Sequence, residues 1–180
     1  FPGLRNKYHK LRITFEHATT ANAIRCVKED GSGLTTCTIT PQALILVRED
    51  LDSLTWRNHG RCMPIAKTKR DRDAVREFAF SGDFRGYAGD DTAAHPSKSK
   101  NVPFAEATSG CYWPHSAAAY VDIFYKHGAL QNLPKFAAFN GPNAWGLKLP
   151  TKNETMHFVR STNDIPTPSP IPGTDDVVVP

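Results

Sequence analysis

Leu11, Ile13 and Phe15 alternate with Arg12, Thr14 and Glu16. That period-two pattern predicts a half-buried strand over 11–17. From Asn22 to Thr40, two β-prone runs flank Asp30-Gly31-Ser32-Gly33, a cluster rich in residues that tolerate positive φ, and this predicts a hairpin. With Gly31-Ser32 as the two-residue loop, counting outward sets Asp30 against Gly33 and Cys26 against Cys37. The stretch "QALILVRE" is apolar on both sides and reads as a central strand covered on both faces. In "RDRDAVREFAF", Val75, Phe78 and Ala79 fall at i, i+3 and i+4 behind Asp71 and Asp73, the pattern of a short amphipathic helix. Residues 81–103 carry Gly, Asp, Ser, Lys and Pro without periodicity and read as a long loop. Over 116–127, Ala117, Tyr120, Val121 and Phe124 share a helical face, with Ser116 as N-cap and Gly128 just past the end. "AWGLKL" and "TMHFVR" predict two late strands joined by a turn at 152–154. The prolines beyond Asp164 remove ladder donors, so 165–180 reads as a flexible tail on a domain spanning 1–164. The expected fold class is α+β, a mainly antiparallel sheet of about five to six strands with one or two packed helices, long loops and two disulfides.

Composition sharpens this picture. A chain of 180 residues suits one domain with a real core. Its 14 prolines and 12 glycines imply many turns. No apolar run approaches the length of a membrane-spanning helix. Four cysteines, an even number with no C-x-x-C spacing, favour disulfides over a metal site. If Cys26 pairs with Cys37, elimination leaves Cys62 for Cys111. Disulfides, a first residue Phe1 with no leader before it, and the sequon Asn153-Glu154-Thr155 together predict a secreted, extracellular glycoprotein. The net charge of +4, from 22 basic and 18 acidic residues, permits an acidic partner without demanding nucleic acid.

The usual catalytic spacings are missing: there is no G-x-S-x-G, H-E-x-x-H, phosphate-binding glycine loop or G-x-G-x-x-G. The candidate chemistry lies in "TWRNHGRC" and "SGCYWPH". A Cys62–Cys111 bond would gather Trp56, Arg57, His59 and Arg61 beside Tyr112, Trp113 and His115. His59 and His115 then offer an acid–base pair, the arginines a fork for a phosphodiester or carboxylate, and the aromatic rings stacking faces. Neither segment holds a carboxylate to orient an imidazole, which favours binding over catalysis. Asp90, Asp91 and His95 form a distant third candidate as cation ligands, in a loop whose acidic residues also suit turns.

No motif matches a known family residue by residue. In general character the chain is similar to small secreted microbial, particularly fungal, effectors and toxins. The function expected is therefore a monomeric virulence-type interaction protein, without metal or cofactor, that binds a host or cell-surface macromolecule (protein, glycan or RNA) through Trp56, Arg57, Arg61, Tyr112 and Trp113. The alternative is a secreted ribonuclease-like or polysaccharide hydrolase using His59 and His115.

Overall fold

The computed structural model describes residues 2–52, 58–160 and 168–178. After a short helix α1 (Pro2–Lys7), the alternating segment forms β1 (Ile13–Phe15). The next segment departs from the expected hairpin. Its first arm is the helix α2 (Ala21–Glu29), opened by Thr20, whose hydroxyl accepts from the Ala23 amide at 3.0 Å. Ile24 and Val27, three apart, are the residues it buries. The Asp30–Gly33 turn therefore joins a helix to a strand, β2 (Thr35–Ile39), in which all five residues are buried. "QALILV" is also corrected: Thr40 caps α3 (Pro41–Ile45), with Pro41 in the first turn, where a missing N–H costs nothing.

The amphipathic pattern expected in "RDRDAVREFAF" gives α4 (Lys69–Phe80), with Val75, Phe78 and Ala79 buried as the spacing requires. The chain then enters β3 (Gly86–Ala88). β2 lies between β1 and β3, and both pairings are parallel, with Phe15 opposite Cys37 and Ile39 opposite Ala88. Helices fill both connections, as parallel strands require. After a one-turn helix α5 (Ser97–Lys100) comes α6 (Ser116–Lys126), whose Tyr120, Ile123 and Phe124 are buried and whose end is followed by Gly128 at φ 66°. Its N-cap position is His115 rather than Ser116. A π-helical turn over Lys135–Phe139 leads into α7 (Asn140–Trp145).

The two faces of the sheet differ. One packs Phe15, Cys37 and Ile39 against Ile24, Val27, Leu44, Val75, Phe78, Phe124 and Phe136, a single apolar core. The rings of Phe80 and Phe136 lie 4.8 and 5.2 Å from that of Phe124. The other face carries hydroxyls: Thr14 and Thr36 oxygens are 3.0 Å apart, and Tyr87 accepts from the Trp145 indole at 3.0 Å. Alternation along each strand produces this division.

The antiparallel sheet of about five to six strands is thus replaced by three parallel strands. The antiparallel pairing among the described residues is limited to β4 (Ser169–Pro170) with β5 (Val177–Val178) and a single bridge from Pro96 to Val178. The segment between them is tied to α5 by the Ser97 hydroxyl, which donates to Asp176 at 2.5 Å. Neither late strand forms: Ala144 and Trp145 end α7, and 155–160 has no ladder partner, with Met156 and Val159 exposed. Disulfides are absent as well, for all four cysteines are free thiols. Cys26 lies in α2 and Cys37 in β2, so no ladder sets them opposite, and burial pushes the Cys37 thiol up to about 12.

Asp71 joins α4 to α2. Its carboxylate accepts from the Ala21 amide at 3.0 Å and from the Thr68 hydroxyl at 2.7 Å. The bond from Ala21 is the chief cause holding its carboxyl below the usual range, against the opposing effect of burial. A depressed folded-state pKa stabilises the fold above the unfolded value of about 3.9 and loses that contribution as pH falls through the folded value. Asp71→Asn should therefore cost about 1 kcal/mol at pH 7, and urea unfolding should show the gap closing near pH 3.

Candidate functional site

Parallel strands bring their carboxyl ends to one edge, where side chains from neighbouring loops can meet. β1 runs into Glu16-His17, β2 into Thr40-Pro41, and β3 into Gly89-Asp90-Asp91. His17 and Asp91 are the two non-glycine residues with positive φ among the described residues, at 55° and 46°. Such a conformation is sparsely populated and marks a backbone held by its surroundings. Both turns aim their side chains at each other, and His17 Nε2 lies 3.6 Å from Asp91 Oδ2. That is beyond a hydrogen bond but within the reach of an ion pair when the imidazole is protonated.

The other ring nitrogen of His17, Nδ1, is 3.3 Å from the Thr38 hydroxyl on the central strand, and the His17 amide donates to the same oxygen at 2.7 Å. Thr38 in turn donates to Glu16 at 2.7 Å. Gly89 makes this possible, because a Cβ there would stand 2.6 Å from the Thr38 Cβ. The pair offers an imidazole and a carboxylate, and no third His, Cys, Asp or Glu joins them in a metal-holding group among the described residues.

The loop after Asp91 is fixed from behind. The Ala93 amide donates to Cys111 O at 2.9 Å and the Gly110 amide to Arg61 O at 3.1 Å, which stitches 91–93, 110–111 and 61–62 together. His95 Nε2 lies 3.2 Å from Ser109 O, and a Cβ on Gly110 would come within 2.9 Å of that nitrogen. Under these strands of chain sits Lys100, 5% exposed, donating to Arg61 O, Thr108 O and Gly110 O at 3.0, 3.1 and 2.6 Å. Burial lowers its pKa.

The residues singled out in the sequence occupy this supporting layer. Cys62 and Cys111 lie side by side as free thiols and not as a bond. The hydrogen bond between them, followed by burial, pushes the Cys111 thiol up. The Trp113 indole donates to Gln42 at 2.9 Å, and the Arg61 guanidinium donates to Ala107 O and stands 5.4 Å over the Phe104 ring. Arg61 and Trp113 are therefore engaged in packing loops. His59 Nε2 is 3.3 Å from Asn101 Oδ1, His115 is exposed at the start of α6, and no hydrogen bond joins the two imidazoles. Tyr112 is half-buried, and Asn153 lies exposed in the 151–154 turn. Trp56 and Arg57 lie outside the described residues. Of Asp90, Asp91 and His95, ranked last by the sequence, Asp91 stands at the carboxyl edge facing His17, and His95 packs against the 109–110 loop. His17 was missed there: it ends the segment read as a strand, and only the parallel pairing brings it to Asp91.

No family model matches the chain. It is nonetheless 38% identical over 178 residues to a dihydroorotase of Halorhodospira halophila, an alignment covering 98% of this chain and 50% of that protein. A Synechococcus dihydroorotase is 36% identical over 167 residues, covering 91% and 46%. Among solved structures, dihydroorotase from Saccharomyces cerevisiae, in complex with 5-fluoroorotic acid, superimposes with a TM-score of 0.75 at 25% identity over 82% of this chain and 42% of that one. The Campylobacter jejuni dihydroorotase gives 0.72 at 28% identity over 83% and 42%. L-Hydantoinase (dihydropyrimidinase) from Arthrobacter aurescens, 18% identical with a TM-score of 0.69 over 79% and 33%, shares the fold alone. The chain spans about half the length of the curated relatives it matches.

These likenesses correct the expected function. The relatives are metabolic enzymes acting on a small substrate, and the secreted effector or toxin binding a host macromolecule is overturned. The extracellular location falls for the same reason, and the disulfides offered as its physical support are free thiols. Over 82–83% of its length the chain shares its fold with the dihydroorotases of Saccharomyces cerevisiae and Campylobacter jejuni, in place of the antiparallel disulfide-bonded domain expected.

Proposed function

We propose that the chain contributes one side of a dihydroorotase-type hydrolytic site, in which His17 and Asp91 face the ring amide of a cyclic ureide. The observation that carries this reading is their meeting at 3.6 Å, each on a positive-φ turn, at the carboxyl ends of parallel strands. Hydrolysis of a ring amide needs a base to take a proton from the attacking water and an acid to return one to the departing nitrogen. The Asp91 carboxylate can do both in turn, and the imidazole beside it can hold the water or the polarised carbonyl in line. The relatives' name supports the substrate class, for dihydroorotate is a cyclic ureide. Because those relatives are about twice as long, the remainder of the site would come from a companion segment.

The test is ring opening of dihydroorotate by this chain, alone and with the remaining half of a related dihydroorotase supplied as a second polypeptide. Turnover by the mixture and none by the chain alone is the expected result. A mixture that assembles into one stable complex but leaves dihydroorotate intact would refute the reading.

A further inference from the structure

We infer that the hairpin of β4 and β5 is a strap whose Asp176 is a positioning residue for α5 and, through α5, for the loop that carries Asp91. The first amides of a helix need partners, and the residue before the helix usually supplies one from its side chain. Before α5 stands Pro96, whose side chain has no acceptor and makes no such bond. Asp176 takes over that task from 78 positions away, one carboxylate oxygen accepting from the Lys98 amide at 3.2 Å. The other oxygen accepts from the Ser97 hydroxyl at 2.5 Å, and Pro96 meets Val178 in a bridge beside these bonds.

The carboxylate is aimed by its own hairpin. The Val177 amide donates at 2.8 Å to the oxygen that faces Ser97, and the Asp176 amide donates to the Thr174 hydroxyl at 3.2 Å. The Ile171 amide closes the turn on Asp176 O at 3.1 Å. α5 divides its contacts between two sides. Ser97 and Lys98 meet the strap, whereas Ser99 and Lys100 meet the loops behind the site. The Thr108 amide donates to Ser99 O at 3.1 Å, the hydroxyls of Ser99 and Thr108 are 3.0 Å apart, and the Lys100 ammonium donates to Gly110 O at 2.6 Å. From there the Ala93 amide, bonded to Cys111 O, holds the residues that follow Asp91. A single helical turn cannot sustain itself in water, so the order of α5 comes from what holds it on each side. The strap is one of those two sides.

The strap regulates the order of the site proposed above and rests on that reading only for the task of Asp91. Amide hydrogen exchange of the chain without substrate reads its effect, so the two can fail separately. In Asp176→Ala the amides of Lys98, Asn101, Thr108 and Ala93 should exchange at least about fivefold faster than in the unmodified chain, while those of α4 and β2 keep their rates. Ser97→Ala removes one bond of the strap, should act on the same amides, and keeps the test available if Asp176→Ala fails to fold. Asp175→Ala removes only a solvent-exposed ion pair with Lys98 and should change none of these rates. Unchanged exchange at Thr108 and Ala93 in folded Asp176→Ala, or in Ser97→Ala should that variant alone fold, would overturn the inference. So would an equal rise across α4 and β2, because the hairpin would then support the whole fold and not this loop.

Discussion

Asp91→Asn should leave the fold intact and lower ring hydrolysis by the reconstituted protein by about 10³-fold, the loss typical of removing a general base. Asparagine has the shape of aspartate and is among the few residues that tolerate the left-handed conformation, so it can occupy the φ of 46° without added strain. What it cannot do is take a proton from water. The partner change, His17→Asn, keeps its turn at φ 55° for the same reason and removes the imidazole. Thermal melts of both variants should stay within a few degrees of the parent. Their combined loss in rate should fall well short of the product of the single losses, because the two groups act as a unit. Retention of full activity by Asp91→Asn would remove the pair from the mechanism.

The second large effect lies in stability. Lys100→Met keeps the length and bulk of the side chain but leaves the carbonyls of Arg61, Thr108 and Gly110 without their shared donor. The Arg61 carbonyl keeps the Gly110 amide at 3.1 Å, whereas those of Thr108 and Gly110 lose their Lys100 donor at about 1–3 kcal/mol each, and relief from burying an ammonium group returns part of that total. A net loss of about 3 kcal/mol corresponds to a fall in Tm of about 10 °C for a chain of this size. The damage should also reach the site, since Cys111 holds Ala93 and Gly110 holds Arg61 in the same stitched set of loops. A Tm lowered by less than about 2 °C would show that the Thr108 and Gly110 carbonyls find other donors.

Lys100 also shows what a sequence hides. In "HPSKSKN" it reads as one more basic loop residue, and nothing local says that three carbonyls from two other segments close over it. The elements that were legible had one dominant period: the alternation around Ile13, the i, i+3, i+4 face of α4 and the helix α6, although its buried side is Tyr120, Ile123 and Phe124 and the Ala117 placed on it is exposed. α2 was misread because its short stripe, Ile24 and Val27, sits beside a Gly-rich turn that also suits a hairpin. α3 was misread because five apolar residues fit a buried strand or a buried helix equally, and the Thr40-Pro41 start was the signal that separates them. The parallel pairing has no local signature, since it depends on contacts between strands more than 20 positions apart. His17 and Asp91 become a pair only through that pairing, which is why Asp91 looked like a turn residue and His17 like the end of a strand. The even cysteine count misled for a related reason: a buried thiol packs as a small apolar group, and Cys37 is such a residue in the middle of β2.

The central claim is that the carboxyl edge of β1, β2 and β3 holds the reacting part of the substrate. A crystal structure of the reconstituted protein with 5-fluoroorotic acid tests it most directly. The account predicts the edge of the pyrimidine ring, with its ring amide, against His17 Nε2 and Asp91 at the carboxyl ends of the strands. A ring bound elsewhere, such as the groove beneath the sheet lined by Arg12, Thr14 and Trp145, with the His17–Asp91 gap holding only water, would contradict it.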